Sequence, residues 1–375
     1  MKPDNRSPKR VLVIFSYLLS PDRDAGSLRM YHILQLFKTL SWPVTFAVSD
    51  LLSSPAQHNF LLSIDVEVLE QPAVASIEIH LQEHGDEYAL VIMSGLSVAL
   101  KYLSCVRKYA PVAKLIFDTT DLQHVREYRR ARVTGEGGWL QIAMRSKKWE
   151  LATVNAVDCT LVVSPAEKTA LEKACPGKKI HILSVIQTAY GSARPYSERE
   201  GILFIGSFPH HPNVDAMEYF FDKIFPLTKD DKLEGVKFFI IGPDPPHWLL
   251  KLATAGLIVT GYVADIRPYF DRCKLSIAPL RYGAGVNGKV IVSMGYGVPV
   301  VASPVAAEGI YMVHDKAMLI ADTPQTFANS IIDLYHDEQL WNRLSHNGLK
   351  VIDEYYSVKV SQAHLMHVLE SLGLA

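Results

Sequence analysis

The sequence contains few cysteines, and none of them lies in a metal-binding pattern. The four cysteines are scattered along the chain without any CxxC spacing: Cys105, Cys159, Cys175 and Cys273. Structural zinc sites use closely spaced cysteine pairs, and disulfide scaffolds are short, cysteine-dense chains. We therefore expect no zinc site and no disulfide framework, and a protein that resides in a reducing compartment.

An excess of charge and long hydrophobic runs are also missing. Lys and Arg (38) nearly balance Asp and Glu (39), so composition gives no reason to expect a nucleic acid partner. No window approaches the roughly 20 apolar residues that cross a bilayer. The run VLVIFSYLL imitates a secretory signal, but it is short and leads directly into an amphipathic helix, so we interpret it as a strand. We expect a cytoplasmic protein, free or bound peripherally at the inner face of the membrane.

Length and hydrophobic pattern together predict two α/β domains. A chain of 375 residues is too long for one ordinary core. Short strands alternate with helical segments in two series, as in parallel sheets that are covered on both faces. A polar, turn-rich stretch separates the two series. We predict a first domain over residues 1–187, a linker over 188–200, a second domain over 201–355 and a terminal helix over 356–375.

The individual elements follow from the same pattern. Ser164 is predicted to begin a helix as its N-cap, with Glu167 completing a capping box. The predicted strands are 11–15, 44–48, 65–69, 90–93, 114–117 and 159–163 in the first half, and 202–205, 237–241, 258–260, 275–279, 299–302 and 318–320 in the second. The predicted helices are 27–40, 77–84, 96–109, 125–155, 214–224, 248–255 and 359–372.

Residues 278–310, APLRYGAGVNGKVIVSMGYGVPVVASPVAAEGI, are the most informative segment. They have the pattern of a buried strand, a glycine-rich turn, a short helix and another buried strand. Gly283, Gly285 and Gly288 let the backbone approach an anion, and a helix that begins near Asn287 directs its free N–H groups at that anion. Lys289 adds a cation in the first turn. This order of elements is typical of a diphosphate site.

The same segment resembles the donor-binding half of retaining GT-B glycosyltransferases of the family 4 type, in which a PL-x-x-GAG-x-x-GK run precedes a helix ending in G-x-PVV. Residues 202–216, ILFIGSFPHHPNVDA, resemble the first strand and loop of the same nucleotide-sugar domain. Residues 117–130, FDTTDLQHVREYRR, are similar to an acceptor-side segment of the bacterial surface polysaccharide members. The resemblance implies an α/β GT-B fold, with two Rossmann-like domains that face a cleft and a terminal helix that crosses back to the first domain.

The resemblance to this family also implies an activity. A hexose or deoxyhexose would move from a nucleotide diphosphate sugar, with GDP, UDP and dTDP all open, to a glycan or lipid-linked acceptor. We expect no other cofactor and no metal, because Asp118 and Asp121 are not in a DxD pattern and Asp230 and Asp231 lie in a polar loop. Stabilising the leaving diphosphate would then fall to Lys289, the backbone around Gly285, Val286 and Asn287, and Arg281.

Other candidate site residues follow the ends of predicted strands, where ligands of open α/β sheets collect. His210 is expected to contact a phosphate or the sugar, and Asn213 either does the same or caps a helix that begins at Val214. In the resembling family, Gly26 lies in the loop where diphosphate and acceptor approach the backbone, with Arg29 nearby at the surface or in the site.

Asp121 and His124 follow another strand, and the resemblance assigns a histidine here to the transferred sugar or its acceptor; the alternative for His124 is the surface of a helix. The base and ribose are expected against the loops 242–246 and 261–263, including Val263.

One position departs from the family. A glutamate that usually holds the ribose hydroxyls is replaced by Val292, and the earlier glutamate of the E-x7-E pair is also absent. Either another residue such as Glu308 takes its role, or the donor binds differently, or the chain is catalytically silent. The second hypothesis is therefore a GT-B module that binds glycans or acts as a scaffold. A sugar-nucleotide epimerase is a weaker third, because no acid and base residues for it are recognisable.

A basic and aromatic region follows the third matching segment. It could dock on an anionic membrane that carries a lipid-linked acceptor, or it could be a solvated helix beside an acidic neighbour. Its members are Arg126, Arg129, Arg130, Arg132, Arg145, Lys147 and Lys148, interleaved with Trp139, Ile142 and Trp149.

Overall fold

The computed structural model describes residues 10–52, 54–228, 233–311 and 316–374. Asp230 and Asp231, weighed above as metal ligands, lie outside these ranges. The described residues form two parallel β-sheets of seven and six strands with helices packed on them. Two α/β domains with Rossmann-like sheets, as expected from the sequence, are therefore confirmed. Within the described ranges, no helix combines the length and the apolar character that a bilayer-spanning segment needs.

The first sheet contains β1 (Val11–Phe15), β2 (Val44–Val48), β3 (Val66–Leu69), β4 (Leu90–Ser94), β5 (Lys114–Asp118), β6 (Cys159–Val162) and β7 (Ile180–Ile182). Its strand order is β3-β2-β1-β4-β5-β6-β7 and every pair is parallel. The central strands are buried along their whole length, because helices cover both faces. These helices are α1 (Ala25–Thr39), α2 (Pro55–Ser63), α3 (Ile77–His84), α4 (Leu96–Tyr109), α5 (Gln123–Thr134), α6 (Gly137–Ala156) and α7 (Pro165–Ala174).

The second sheet contains β8 (Ile202–Ile205), β9 (Phe238–Ile241), β10 (Leu257–Gly261), β11 (Leu275–Ala278), β12 (Val300–Ala302) and β13 (Leu319–Ile320). The order β10-β9-β8-β11-β12-β13 repeats the winding of the first sheet: β9 and β10 are added on one side of β8, and β11, β12 and β13 on the other. Its helices are α8 (His211–Tyr219), α9 (His247–Lys251), α10 (Arg267–Arg272), α11 (Gly288–Gly295), α12 (Pro304–Ala307), α13 (Pro324–His336) and α14 (Glu338–Val351).

The last helix, α15 (Val358–Ser371), packs on the first domain although it follows the second. Leu365, Val368, Leu369 and Leu372 join the core that also contains β1, α1 and β2 side chains. The two domains are thus tied together at both ends of the second one. The exact domain boundaries proposed from the sequence stay a prediction.

Each strand predicted from the sequence matches the structure to within one residue at each end, but β7 was not predicted, and neither were α2, α10, α12, α13 and α14. The single helix expected over 125–155 is two helices, because Gly135 adopts a left-handed conformation (φ 72°) and ends α5. Ser164 caps α7 as predicted, accepting the Glu167 N–H at 3.2 Å. The capping box is wrong, because the Glu167 carboxylate accepts the backbone N–H groups of Leu122 (3.0 Å) and Val163 (3.2 Å) instead.

Candidate active site

The glycine-rich segment forms the predicted strand, turn, helix and strand, namely β11, a loop, α11 and β12. Helix α11 begins at Gly288, and its N-cap Asn287 makes no side-chain capping bond. The helix start therefore keeps N–H groups that the cap residue does not satisfy. Uncapped N–H groups and the positive end of the helix dipole favour an anion at this position.

Lys289, in the first turn of α11, has amide oxygens but no carboxylate as partners in the described part of the chain. Its Nζ donates to Oδ1 of Asn213 at 2.8 Å and to Oδ1 of Asn287 at 3.4 Å, and it lies 5.3 Å from the centre of the Phe204 ring. Burial lowers the pKa of Lys289 to about 7. An ammonium that has lost water without gaining a counterion is suited to an anionic ligand.

His210 and Asn213 stand beside this lysine at the start of α8. The hypothesis that Asn213 caps a helix is wrong, because α8 begins at His211 and Asn213 lies inside it. Its Nδ2 instead donates to the Ser207 carbonyl at 2.7 Å, which leaves Oδ1 directed at Lys289. Desolvation, and then the charges of Arg126 and Lys289, lower the pKa of His210 to about 4, although the residue is exposed at the surface of the domain. His210 is therefore a neutral donor or acceptor at physiological pH.

The Asp121–His124 turn of the first domain lies across the cleft from the glycine-rich loop. A Cβ added to Gly285, whose φ is 72°, would lie 3.1 Å from the Asp121 Cβ, and one added to Gly288 would lie 2.8 Å from the Ala25 Cβ. These glycines are thus required for close approach of the two domains, in addition to any role beside an anion. Asp121 pairs with Arg126 of α5, so its charge is partly neutralised.

The start of α5 differs from that of α11, because buried carboxylates of the protein accept its backbone N–H groups. The N–H of Leu122 is bound by Glu167, and those of Gln123 and His124 by Glu150, at 3.0, 2.8 and 3.2 Å. Burial raises the pKa of Glu167 to about 7, with the charge of Asp121 acting in the same direction. The N–H groups of these three residues are therefore occupied, whereas no side chain caps the start of α11.

Several predicted residues differ from expectation in their surroundings. Gly26 was expected in a loop but lies in the first turn of α1, where an added Cβ would meet the Tyr17 hydroxyl at 2.5 Å. That hydroxyl donates to Oδ1 of Asp24, the N-cap of α1 (2.9 Å).

The surface alternative for Arg29 is wrong: Arg29 is buried and makes a bidentate pair with buried Asp118 at 2.9 Å. The helix-surface alternative for His124 is also wrong, since its side chain is only 17% exposed.

Arg281 and Glu308 have protein partners. Arg281 pairs with Asp215, with Nε 3.0 Å from Oδ2, so its charge is partly neutralised. Glu308 pairs with Arg129 of α5 across the cleft at 2.5 Å. Val263 and Val292 pack against an apolar cluster of the second domain, and Val286 against its main core. These valines can offer a ligand apolar contact only.

Asp118 is fully buried, and its oxygens accept hydrogen bonds from Arg29 and, at 2.7 Å, from Ser94. It has no free oxygen to offer a metal together with Asp121. The described ranges contain no group of three or more His, Cys, Asp or Glu arranged to hold an ion. The four cysteines are free thiols.

Sequence reasoning missed Glu150, and it named Arg126 and Glu167 without assigning them to the Asp121–His124 turn that they contact. Glu150 lies 26 residues from His124, on a different helix, and its only visible signal is that it is an isolated acid in a basic stretch. That signal does not identify a partner.

Comparison with known proteins shows that part of the second domain is similar to a known family. Residues 199–337 match the sequence profile of the family "Glycosyl transferases group 1". The matched segment contains β8, α8 and α11, and so includes His210, Asn213 and Lys289. No curated protein matches the chain at a significant level.

Solved structures share the fold over most of the chain. A sucrose-phosphate synthase from Thermosynechococcus elongatus is 13% identical with a TM-score of 0.72, over 97% of this chain and 99% of that one. HepE from Anabaena, in complex with UDP and glucose, is 14% identical with a TM-score of 0.71, over 96% and 99%. A mutant TarM from S. aureus, in complex with fondaparinux, alpha-GlcNAc-glycerol and UDP, is 16% identical with a TM-score of 0.61, over 78% and 57%.

These similarities show that the chain has the GT-B fold, in agreement with the sequence resemblance. The matched family segment and the fold together support a glycosyltransferase.

Proposed function

We propose that this protein is a metal-independent, retaining glycosyltransferase that moves a hexose or deoxyhexose from a nucleotide diphosphate sugar to a glycan or lipid-linked acceptor. One observation carries the proposal: Lys289 stands at the uncapped start of α11 without a carboxylate partner in the described residues, opposite the Asp121–His124 turn. A diphosphate supplies the counterion that this lysine lacks.

In the proposed reaction, the bond between the anomeric carbon and the diphosphate breaks while negative charge grows on the leaving group. Lys289 and the N–H groups at the start of α11 stabilise that charge, and neutral His210 donates a hydrogen bond to a phosphate or sugar oxygen. The leaving phosphate takes the proton of the acceptor hydroxyl on the same face of the sugar, so no strong protein base is required. His124 and Asp121 contact the sugar or the acceptor, and Gly26 lies where the acceptor meets the diphosphate.

We propose that the nucleoside lies beyond the diphosphate, beside Val263 and Val292. Because these side chains are apolar, we propose that backbone groups of loops 242–246 and 261–263 bind the base and the ribose. Glu308 can bind the sugar only if its ion pair with Arg129 breaks.

Calorimetry with GDP, UDP, dTDP and ADP tests this function. The expected result is tight binding of one nucleotide, followed by turnover of the corresponding sugar donor that EDTA does not abolish. Loss of turnover in EDTA would contradict metal independence. Analysis of the product anomer decides whether the configuration is retained.

The second candidate is a catalytically silent module that binds glycans or acts as a scaffold. It is favoured by Val292, which cannot form the hydrogen bonds of a carboxylate, each worth about 1.5–3 kcal/mol when a charged group takes part. Failure of all four nucleotides to bind would favour this alternative.

A peripheral contact with an anionic membrane is also proposed, on the outer surface of α5 and α6. Arg126 and Arg129 do not belong to it, because Arg126 pairs with Asp121 of the same domain and Arg129 pairs with Glu308 across the cleft. The remaining surface carries both basic and aromatic side chains. Arg130 lies 3.9 Å from the centre of the Trp139 ring, and Arg145 lies 5.1 Å from the centre of the Trp149 ring. Its exposed members include Arg132, Leu140, Met144, Arg145, Lys147, Lys148 and Trp149.

Vesicle flotation tests this contact. The protein should float with vesicles that contain phosphatidylglycerol and should remain below with phosphatidylcholine alone. A Lys147→Glu/Lys148→Glu variant should lose flotation, whereas Lys350→Glu on α14 should not. Equal flotation with both lipids would contradict the proposal.

A further inference from the structure

We propose that Glu150 is a positioning residue that holds the His124 ring with Nδ1 protonated, leaving Nε2 as the atom that meets a substrate hydroxyl. The inference rests on the proposed function, since it assumes that His124 contacts the sugar or its acceptor. It concerns the part of the site that the chain builds from two separate helices of the first domain.

Glu150 projects from α6 and is almost completely buried, with 1% of its side chain exposed. All of its hydrogen bonds go to the first turn of α5. Oε1 accepts the Gln123 N–H at 2.8 Å, and Oε2 accepts the His124 N–H at 3.2 Å and also contacts the His124 ring at Nδ1. The carboxylate thus fixes the backbone and the ring of the same residue.

An ionised carboxylate only accepts hydrogen bonds, so a ring nitrogen in contact with it must carry the hydrogen. In the neutral ring this leaves Nε2 unprotonated and able to accept from a hydroxyl. Nε2 has no hydrogen bond to any described residue, and 17% of the His124 side chain stays accessible. The ring therefore has one nitrogen committed to the protein and one left for a ligand.

A purely structural reason for Glu150 also exists, because the N-cap of α5 is Leu122, which has no side-chain acceptor. The chain supplies a control that separates the two roles. Glu167 is likewise buried and binds the same turn through the Leu122 N–H, but it touches no imidazole. If Glu150 served only to cap the helix, replacing Glu150 and replacing Glu167 should have the same effect on His124.

Histidine nitrogen NMR tests the geometry without any need for turnover. The full chain, labelled with ¹⁵N-histidine, is studied at alkaline pH, and the His124 signals are assigned by their loss in His124→Ala. We expect the form protonated at Nδ1 in the unaltered protein, and a shift toward the form protonated at Nε2 in Glu150→Gln, since an amide N–H₂ can face the ring. Glu167→Gln should leave the His124 signals in place. Unchanged signals in Glu150→Gln would overturn the inference.

Kinetics with the donor found by the nucleotide panel supply the second test. Glu150→Gln should lower kcat by about 10- to 100-fold, by analogy with the loss that follows removal of the hydrogen-bond partner of a metal-bound histidine. Because Glu150 acts through His124, the double variant His124→Ala/Glu150→Gln should be no slower than His124→Ala alone. Multiplied losses in the double variant would assign Glu150 a structural role only.

A failure of the proposed function and a failure of the role of Glu150 give different results. A chain that binds none of the nucleotides contradicts the proposed function, even if the tautomer is as expected. A His124 ring protonated at Nε2 in the unaltered protein contradicts the role of Glu150, even if transfer is observed.

Discussion

Lys289 and Asn213 belong to two different helices of the second domain, and Nζ of the lysine lies 2.8 Å from Oδ1 of the asparagine. Asn213 is itself fixed by its bond to the Ser207 carbonyl. A neutral oxygen therefore orients the ammonium without cancelling its charge. A carboxylate in the same place would hold the lysine more strongly and would leave the pair neutral toward a diphosphate.

Replacing Lys289 by methionine should abolish most of the transfer activity. The side chain keeps its approximate length but loses the charge that the leaving diphosphate requires, so we expect kcat to fall by on the order of 10²–10³. Lys350→Met, on the surface of α14, is the matched control and should be unaffected. Activity of Lys289→Met within threefold of the unaltered protein would contradict the role of this lysine.

Binding of the nucleoside diphosphate should weaken as the pH rises above about 7. Because burial lowers the pKa of Lys289 to about 7, the free protein loses the ammonium above that pH and must take up a proton to bind. Kd should then increase by up to about tenfold per pH unit. Calorimetry at pH 8 in buffers of different ionisation enthalpy should detect the proton uptake, which Lys289→Met should lack.

The same pKa predicts a pH effect on stability. An unfolded lysine titrates near pH 10.4, so between pH 7 and 10 the unfolded chain binds a proton that the folded chain does not. The free energy of unfolding of the ligand-free protein should therefore rise across this window, relative to that of Lys289→Met. Below pH 7 the methionine variant should be the more stable of the two. Parallel unfolding curves at pH 6.5 and pH 9 check this, and a difference that stays constant would contradict it.

Asn213→Asp should weaken nucleotide binding, and it should also lower the free energy of unfolding somewhat, because a carboxylate cannot donate to the Ser207 carbonyl as the Asn213 amide does. The new carboxylate would pair with Lys289 and repel a diphosphate, so we expect Kd to increase at least tenfold, which is about 1.4 kcal/mol. Asn329→Asp, on the exposed face of α13, adds the same charge far from the glycine-rich loop. Calorimetry of the two variants should differ, and equal affinities would show that the diphosphate lies elsewhere.

Glu308→Gln distinguishes a sugar contact from a contact between domains. If Glu308 binds hydroxyls of the donor sugar, the variant should bind the nucleotide sugar more weakly and the nucleoside diphosphate equally well. If it serves only to hold Arg129, Arg129→Ala should reproduce its effect on both ligands. The pair is partly exposed, so removing either member should change the unfolding free energy by no more than about 1 kcal/mol.

Most strands of the two sheets could be predicted from the sequence, because buried parallel strands appear as short runs of β-branched residues. Smaller features were missed where local signals were ambiguous. Gly135 divides α5 from α6 within a region that is helical on both sides. The capping box at Ser164 fits its sequence pattern, yet the Glu167 carboxylate is used by a neighbouring loop.

The sequence by itself determined the two series of strands, the glycine-rich turn and the presence of Lys289 in the first turn of a helix, since each depends on residues close together in the chain. Only the tertiary structure decided what surrounds these residues. Lys289 meets Asn213 across 76 positions, His124 meets Glu150 across 26, and Arg129 meets Gly283 across 154. Desolvation and hydrogen bonding depend on such distant neighbours, and so the charge state of Lys289 and the orientation of His124 follow from folding.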